Sequence, residues 1–316
     1  MLARMGATRG TLTQRARRLV IPLLFGVFVI VPPQSYFEVV QKHGYAGSAL
    51  DFMRLYVSAY GGFCSAPGRC LILPTWNHLW FLPYLLAYTI FLWAALRWRP
   101  CWLDAAAARL PHALRGARLL WAPALALIAL RIALRPLFPI THAFIDDWFA
   151  HAMYGGIFLA GAWVAHGAHW LRFEVVRWPA LGLALLGGLG VIAPLNDDLR
   201  LVAISVMQWS AIVAAVGFSH RGLNRDAPWR RTLTEAVFPV YVMHQTVIVW
   251  LAVAWAPWRL APRTEAPLLV AATFALCGLC HLLVRRVRWL RPCFGLAASE
   301  PPRDAPLRRD PRAAGG

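Results

Sequence analysis

Long apolar runs separated by short polar segments recur along the whole chain. Eight runs stand out: Leu19–Val31, Trp76–Leu96, Leu119–Ile140, Trp148–His166, Pro179–Leu195, Leu199–Phe218, Glu235–Trp255 and Pro267–Val284. At about 1.5 Å rise per residue, a run such as Trp76–Leu96 covers a hydrocarbon core of roughly 30 Å as a helix. Leu19–Val31 is short and ends at Pro32-Pro33, but flanking arginines that snorkel bring it near the needed length. The pattern predicts an all-α polytopic membrane protein with eight transmembrane helices. Gln34–Thr75 reads as the longest polar loop, with one amphipathic piece around Leu50–Tyr60, and Asn196-Asp197-Asp198 reads as a tight turn. Three segments are expected: a basic cytoplasmic stretch over 1–18, a membrane domain over 19–296, and a disordered cytoplasmic tail over 297–316, rich in Pro and Gly.

Charge sets the orientation. With the amino terminus inside, the inner segments up to Thr234 carry five, five, two and four arginines, and the tail after Val284 is basic as well. The outer loops hold Asp146, Asp147, Asp197 and Asp198 and few basic residues. The positive-inside rule therefore puts both termini in the cytoplasm. A net charge of +18 would suggest nucleic acid if it formed one patch, but the basic residues are spread between the apolar runs, and no nucleic-acid module accompanies them. At 15% charged residues the chain is too poor in charge for a soluble domain, where about 25% is usual. No small-residue cleavage site follows the first apolar run, so no cleavable signal peptide is expected. Cys64 and Cys70 share an outer loop, where a disulfide is allowed. Cys277 and Cys280 form a CxxC inside an apolar run with only His281 close by. That is too few ligands for zinc, and small core residues are the simpler reading.

Ionisable groups inside spans are costly and mark candidate chemistry. His78 lies at the outer end of the second run among Trp76, Trp80 and Tyr84, as an interfacial anchor or as a residue meeting a water-borne substrate. Arg131 and Arg135 lie one turn apart in the third run. They either snorkel to outer headgroups or clamp an anion, with Asp146 or Asp147 as counter-charge. Asp147 and His151, four apart, share a helix face, as an ion pair or as a carboxylate-oriented imidazole suited to general base work. His244, on a face with Tyr241 and Ile248, glues helices together or lines a proton or substrate path. No P-loop, dinucleotide fingerprint, HExxH or GxSxG elbow is present, and neither a metal site nor a bound cofactor is expected.

Four stretches carry a resemblance: Arg17-Arg18-Leu19-Val20-Ile21-Pro22-Leu23-Leu24-Phe25-Gly26, His78-Leu79-Trp80-Phe81-Leu82-Pro83-Tyr84-Leu85, Phe238-Pro239-Val240-Tyr241-Val242-Met243-His244-Gln245 and Leu290-Arg291-Pro292-Cys293-Phe294-Gly295-Leu296. In order and spacing they resemble the acyltransferase type 3 membrane family, most closely the branch that succinylates periplasmic glucans. The resemblance covers about Arg15 to Leu296. It implies a membrane-bound O-acyltransferase of the bacterial inner membrane. Such an enzyme moves an acyl group from a cytoplasmic acyl-CoA-type co-substrate to a hydroxyl of an extracytoplasmic glycan or glycolipid. Arg15 and Arg18 match the family's Arg-x-x-Arg element, which is thought to meet the donor's phosphates. His78, Tyr241 and His244 would line the route or the acceptor side.

The family also has two spans ahead of the Arg-rich segment, the first carrying a basic residue and a following His taken to be catalytic. This chain is expected to lack them, through a start assigned too far downstream or a truncated gene. Arg131 and His142 have a comparable spacing but lie in another span, with Pro136 and Pro139 between, so the role is not transferred to them. Two rival readings are a transporter or flippase for a lipid-linked or sugar substrate, for which no internal repeat is seen, and an inactive truncated enzyme acting as a scaffold.

Overall fold

A computed structural model describes residues 9–66, 69–167, 169–224 and 227–297. The regular elements of the described chain are helices apart from one antiparallel pair, β1 (Cys64–Ala66) and β2 (Arg69–Cys70), closed by a Cys64–Cys70 disulfide. The expected tail lies outside the described residues except for Ala297. The helices are α1 (Arg9–Phe25), α2 (Pro32–His43), α3 (Ala49–Val57), α4 (Phe81–Trp98), α5 (Trp102–Ala113), α6 (Arg118–Leu134), α7 (Trp148–Gly167), α8 (Trp170–Val175), α9 (Arg177–Ile192), α10 (Asp197–Phe218), α11 (Pro228–Trp255), α12 (Pro262–Arg286) and α13 (Leu290–Cys293).

Every predicted apolar run is helical, but the helices differ in reach. Among the described residues, four segments are long and apolar enough to cross a membrane: Asn77–Trp98, Asp197–Leu223, Trp229–Trp258 and Pro262–Arg286. A fifth is Gly10–Ile30 together with Pro32–His43, if that pair, bent by 41°, forms one span. α6 stops at Leu134 rather than Ile140, because Pro136 and Pro139 forbid its continuation. α9 has 16 residues and ends just before Pro194. Its outward face is apolar, with Ile192 79% and Leu186 65% exposed, as suits a surface bathed in hydrocarbon rather than water. The chain is a multi-pass membrane protein.

Two expectations need correction. Gln34–Thr75 is not a loop throughout. Pro32 and Pro33 do not merely end the first run; they occupy the opening positions of α2, where a missing N–H costs nothing. The amphipathic piece is α3, capped by Ser48 Oγ accepting from the Asp51 N–H at 3.2 Å and burying Phe52 and Tyr56. The turn at Asn196 is the N-cap of α10, its Oδ1 accepting from the Leu199 N–H at 2.9 Å.

The chain divides into two compact units, Met1–Arg15 with Tyr84–Arg225, and Ala16–Pro83 with Asp226–Gly316. In the first unit, α6, α7, α9 and α10 enclose a core around Leu119, Phe149, Trp163, Trp209 and Val213. Trp209 Nε1 donates to the Leu119 carbonyl at 2.8 Å, tying α10 to α6. α9 and α10 pack so closely that a Cβ on Gly187 would lie 2.8 Å from the Met207 backbone nitrogen. In the second unit, α2, α3 and the disulfide hairpin share an aromatic core of Phe52, Tyr56 and Phe63 with Val39 and Leu73. The Tyr56 hydroxyl lies 2.8 Å from the Val27 carbonyl and 2.9 Å from that of Thr75, and accepts from the Thr75 N–H at 3.2 Å. Burial pushes that hydroxyl up to about 12.

Candidate active site

The second unit has one further core, around Ile30, Val31, Leu79, Val242, Val284, Phe294 and Leu296, with Leu23, Phe25, Phe238, Tyr241, Met243 and Cys293 packed on it. Each of the four stretches singled out in the sequence contributes to this core. Two glycines show how tight it is. A Cβ on Gly26 would collide with Leu79, and one on Gly295, held at φ +68°, would lie 2.6 Å from Phe238. The first stretch thus closes on the second, and the fourth on the third. Phe25 and Phe294 meet edge to face at 5.4 Å.

His78 and His244 stand over this core with ring centres 5.2 Å apart, nearly perpendicular. His78 sits in a single 3₁₀ turn, Asn77–Trp80, that leads into α4. Its Nε2 is 3.0 Å from the Val242 carbonyl. A carbonyl only accepts, so Nε2 carries the hydrogen, and Nδ1 accepts from Gln34 Nε2 at 3.4 Å. Gln34 also donates to Thr246 Oγ1 at 2.5 Å, and Thr246 donates to the Ile30 carbonyl at 2.9 Å. Gln34 Oε1 accepts from Asn77 Nδ2 at 3.3 Å. Both nitrogens of His78 are therefore committed. The Tyr241 hydroxyl donates to the His78 carbonyl at 2.9 Å and braces the same turn.

His244 differs. Its Nδ1 lies 2.7 Å from the Tyr241 carbonyl three residues back on α11 and must donate to it. That contact sets the tautomer and leaves Nε2 as the basic nitrogen, the arrangement a general base requires. His244 lines a groove of about 280 Å³ between α11 and α12, together with Val240, Ile248, Leu269, Val270, Thr273 and Phe274. Gln34, Asn77 and Thr246 escaped the sequence reading because buried amides and hydroxyls carry no charge to betray them.

Arg15 and Arg18 lie three apart on α1 and so share a face. Arg18 Nε donates to the Gly295 carbonyl at 2.7 Å, fixing the turn after α13, while its side chain stays exposed.

The remaining candidates belong to the first unit. Asp147 is fully buried. Its Oδ2 accepts from the Tyr84 hydroxyl at 2.6 Å and from the His142 N–H at 3.0 Å, and Oδ1 has no partner. The His151 backbone N–H donates to the Asp147 carbonyl at 2.9 Å, but the two side chains bond elsewhere. Nε2 donates to the Phe144 carbonyl at 2.7 Å, Nδ1 faces the Tyr88 hydroxyl at 3.2 Å, and the ring stacks on Tyr84 at 4.6 Å. Together these contacts hold the 141–147 loop, where His142, Phe144 and Asp146 all adopt positive φ. Arg131 is buried and bonded to Gln208, whereas Arg135 is exposed. Neither forms an ion pair with Asp146 or Asp147. Among the described residues no cluster of His, Cys, Asp and Glu is able to hold a metal ion.

A family model described as an acyltransferase domain matches residues 2–282. No curated protein and no solved structure matches the chain. The match includes the first three of the four stretches, with His78 and His244, and ends before the fourth, Leu290–Leu296. The chain therefore belongs to the acyltransferase 3 family and is a multi-pass membrane enzyme that transfers acyl groups other than aminoacyl groups from a donor to an acceptor.

Proposed function

We propose that the protein moves an acyl group from a cytoplasmic acyl-CoA-type donor to a hydroxyl of an extracytoplasmic glycan or glycolipid in the bacterial inner membrane. In this reading the chain makes eight spans with both termini cytoplasmic, and it falls in the branch that succinylates glucans. The observation that carries it is the pair His78 and His244, set over the core that the four stretches build. His244 Nε2 takes the proton of the acceptor hydroxyl. The hydroxyl oxygen attacks the acyl carbonyl, the new C–O bond forms, the donor's C–S bond breaks, and the proton passes to the leaving thiolate. His78 and Tyr241 hold the turn beside it. Arg15 and Arg18 meet the donor's phosphates at the helix end. Arg131, Arg135, Asp147 and His151, in the other unit, lie on the substrate side without pairing with one another.

The test is O-acylation of surface glycan in cells and acyl-donor consumption by the protein in proteoliposomes. His244→Ala should lower turnover by about 10²–10⁴-fold, the usual worth of a general base, at unchanged expression. Movement of a glycan or lipid across the bilayer without donor consumption would instead favour a flippase. The absence of both activities would favour a scaffold.

A further inference from the structure

Arg131 is a buried cation with no ion-pair partner among the described residues. The residue is 7% exposed, in the last turn of α6. One terminal nitrogen donates to Gln208 Oε1 at 2.6 Å and lies 3.6 Å from Met153 Sδ. The guanidinium carbon is 5.7 Å from the centre of the Phe149 ring. Nε has no partner. Among the described residues no carboxylate pairs with it; the ion pairs of this unit, such as Glu174 with Arg221 and Asp104 with His166, are made elsewhere. Asp147 spends one oxygen on Tyr84 and the His142 backbone. Arg135, one turn on, adds a second positive charge.

Snorkelling does not account for this side chain, which is turned among Phe149, Met153 and Gln208 rather than out to a headgroup. The partial negative charge at the end of α6 helps, but it is smaller than the cost of burying an unpaired cation. Gln208 satisfies one N–H and supplies no charge. What is missing is an anion.

We propose that Arg131, held by Gln208, is a binding site for a small ligand bearing a carboxylate. Nε, which has no partner, and the terminal nitrogen on its side, whose second hydrogen meets only the Met153 sulfur, form the side edge of the guanidinium, and a carboxylate that displaces this weak sulfur contact takes both in parallel. The Gln208 amide nitrogen has only the Met153 sulfur at 3.7 Å, a weak acceptor, and is free to turn to an incoming oxygen. The exposed Arg135 gives the anion a first station at the helix end. A monoanion balances the single buried charge. A dianionic phosphate would leave a negative charge uncompensated in the same apolar surroundings. The site does not depend on the acyl-transfer chemistry assigned to His244.

The experiment is thermal unfolding of the full-length protein in detergent, with sodium propionate, sodium phosphate or sodium chloride at matched ionic strength. Propionate should raise Tm in a saturable way, and phosphate and chloride should not. In Arg131→Met/Gln208→Leu the propionate shift should vanish. Without ligand this variant should unfold at or above the wild-type temperature, because it removes an unpaired buried cation together with its amide holder. Arg131→Lys keeps the charge and loses the fork, and should weaken propionate binding by about tenfold, the worth of one good hydrogen bond. No saturable shift in wild type, an equal shift with phosphate, or a shift that survives in the double variant would each overturn the proposal. If the double variant does not fold, unchanged propionate affinity in Arg131→Lys overturns it.

Discussion

At His244 a carbonyl of its own helix holds Nδ1 and leaves Nε2 basic, whereas at His78 a carbonyl and an amide occupy both nitrogens. The two rings are 5.2 Å apart, yet their chemistry differs because their hydrogen bonds do. The loss of each should therefore read differently. His78→Ala removes the second hydrogen bond to the Val242 carbonyl, which keeps its helical one, and leaves one Gln34 N–H unpaired, at about 1–3 kcal/mol for a buried group without a partner. Its main effect should be a lower Tm, with turnover falling only as far as the braced turn loosens. An unchanged Tm in His78→Ala would contradict this network. Gly295 makes the same point about backbone. At φ +68°, and with Phe238 where a Cβ would go, Gly295→Ala should cost about 1–3 kcal/mol through overpacking, plus the strain of the left-handed region. Unfolding in denaturant measures it directly. None of this was legible in the residues alone: a histidine's free nitrogen and a glycine's missing neighbour are facts about what other segments bring.

At the scale of elements, the eight apolar runs predicted helices and helices are present. Their ends followed local rules that the sequence also carries: Pro136 stops α6, Asn196 caps α10, and Pro32 and Pro33 open α2. Pro32 and Pro33 were read as an end and are a start, because proline marks both, and the direction depends on where the following chain packs. The short connection at α8 is held by charge. The Glu174 carboxylate meets His220 Nδ1 at 3.0 Å and Arg221 at 2.9 Å, and these bonds hold its carboxyl below the usual glutamate range. A depressed folded value means stability that is present above the ordinary glutamate pKa of about 4.3 and lost as the pH falls through the lower folded value. Wild type should therefore lose Tm below about pH 4 more steeply than Glu174→Gln, which lacks the titrating group. Parallel acid profiles for the two proteins would show that the pairing contributes nothing.

For the whole molecule, length and apolarity mark four segments as able to cross a membrane, or five with the bent pair. The charge pattern in the sequence asks for eight crossings. Cysteine-accessibility labelling in intact cells separates the two. With eight spans, single cysteines placed in 141–147 and at 196–198 should react with an impermeant reagent, and those in 114–117 and 220–224 should react only after permeabilisation. Labelling of 220–224 from outside would break the alternation. The exposed apolar faces of α9 and α12 belong to this scale as well, since among the described residues nothing covers them, and they need lipid or another protein to do so.

The sequence by itself determined the class of molecule and the candidate positions for its chemistry. Hydrophobic run length and positive charge between runs are local, additive properties, so a helical, multi-pass protein follows from them without any tertiary contact. The family stretches are local as well. What the sequence could not decide is which of those stretches meet. Arg17–Gly26 and Leu290–Leu296 lie at opposite ends of the chain, and only packing brings Gly295 against Phe238 and Arg18. Packing likewise split the charged candidates, leaving Asp147 to Tyr84 and Arg131 to a neutral glutamine instead of to each other. Whether two charges pair depends on distances that helix periodicity constrains within one helix and not between helices. The hydrogen-bond partners of His78, His244 and Arg131 are neutral groups — Gln34, Val242, Tyr241, Gln208 — whose importance arises only from where the fold puts them.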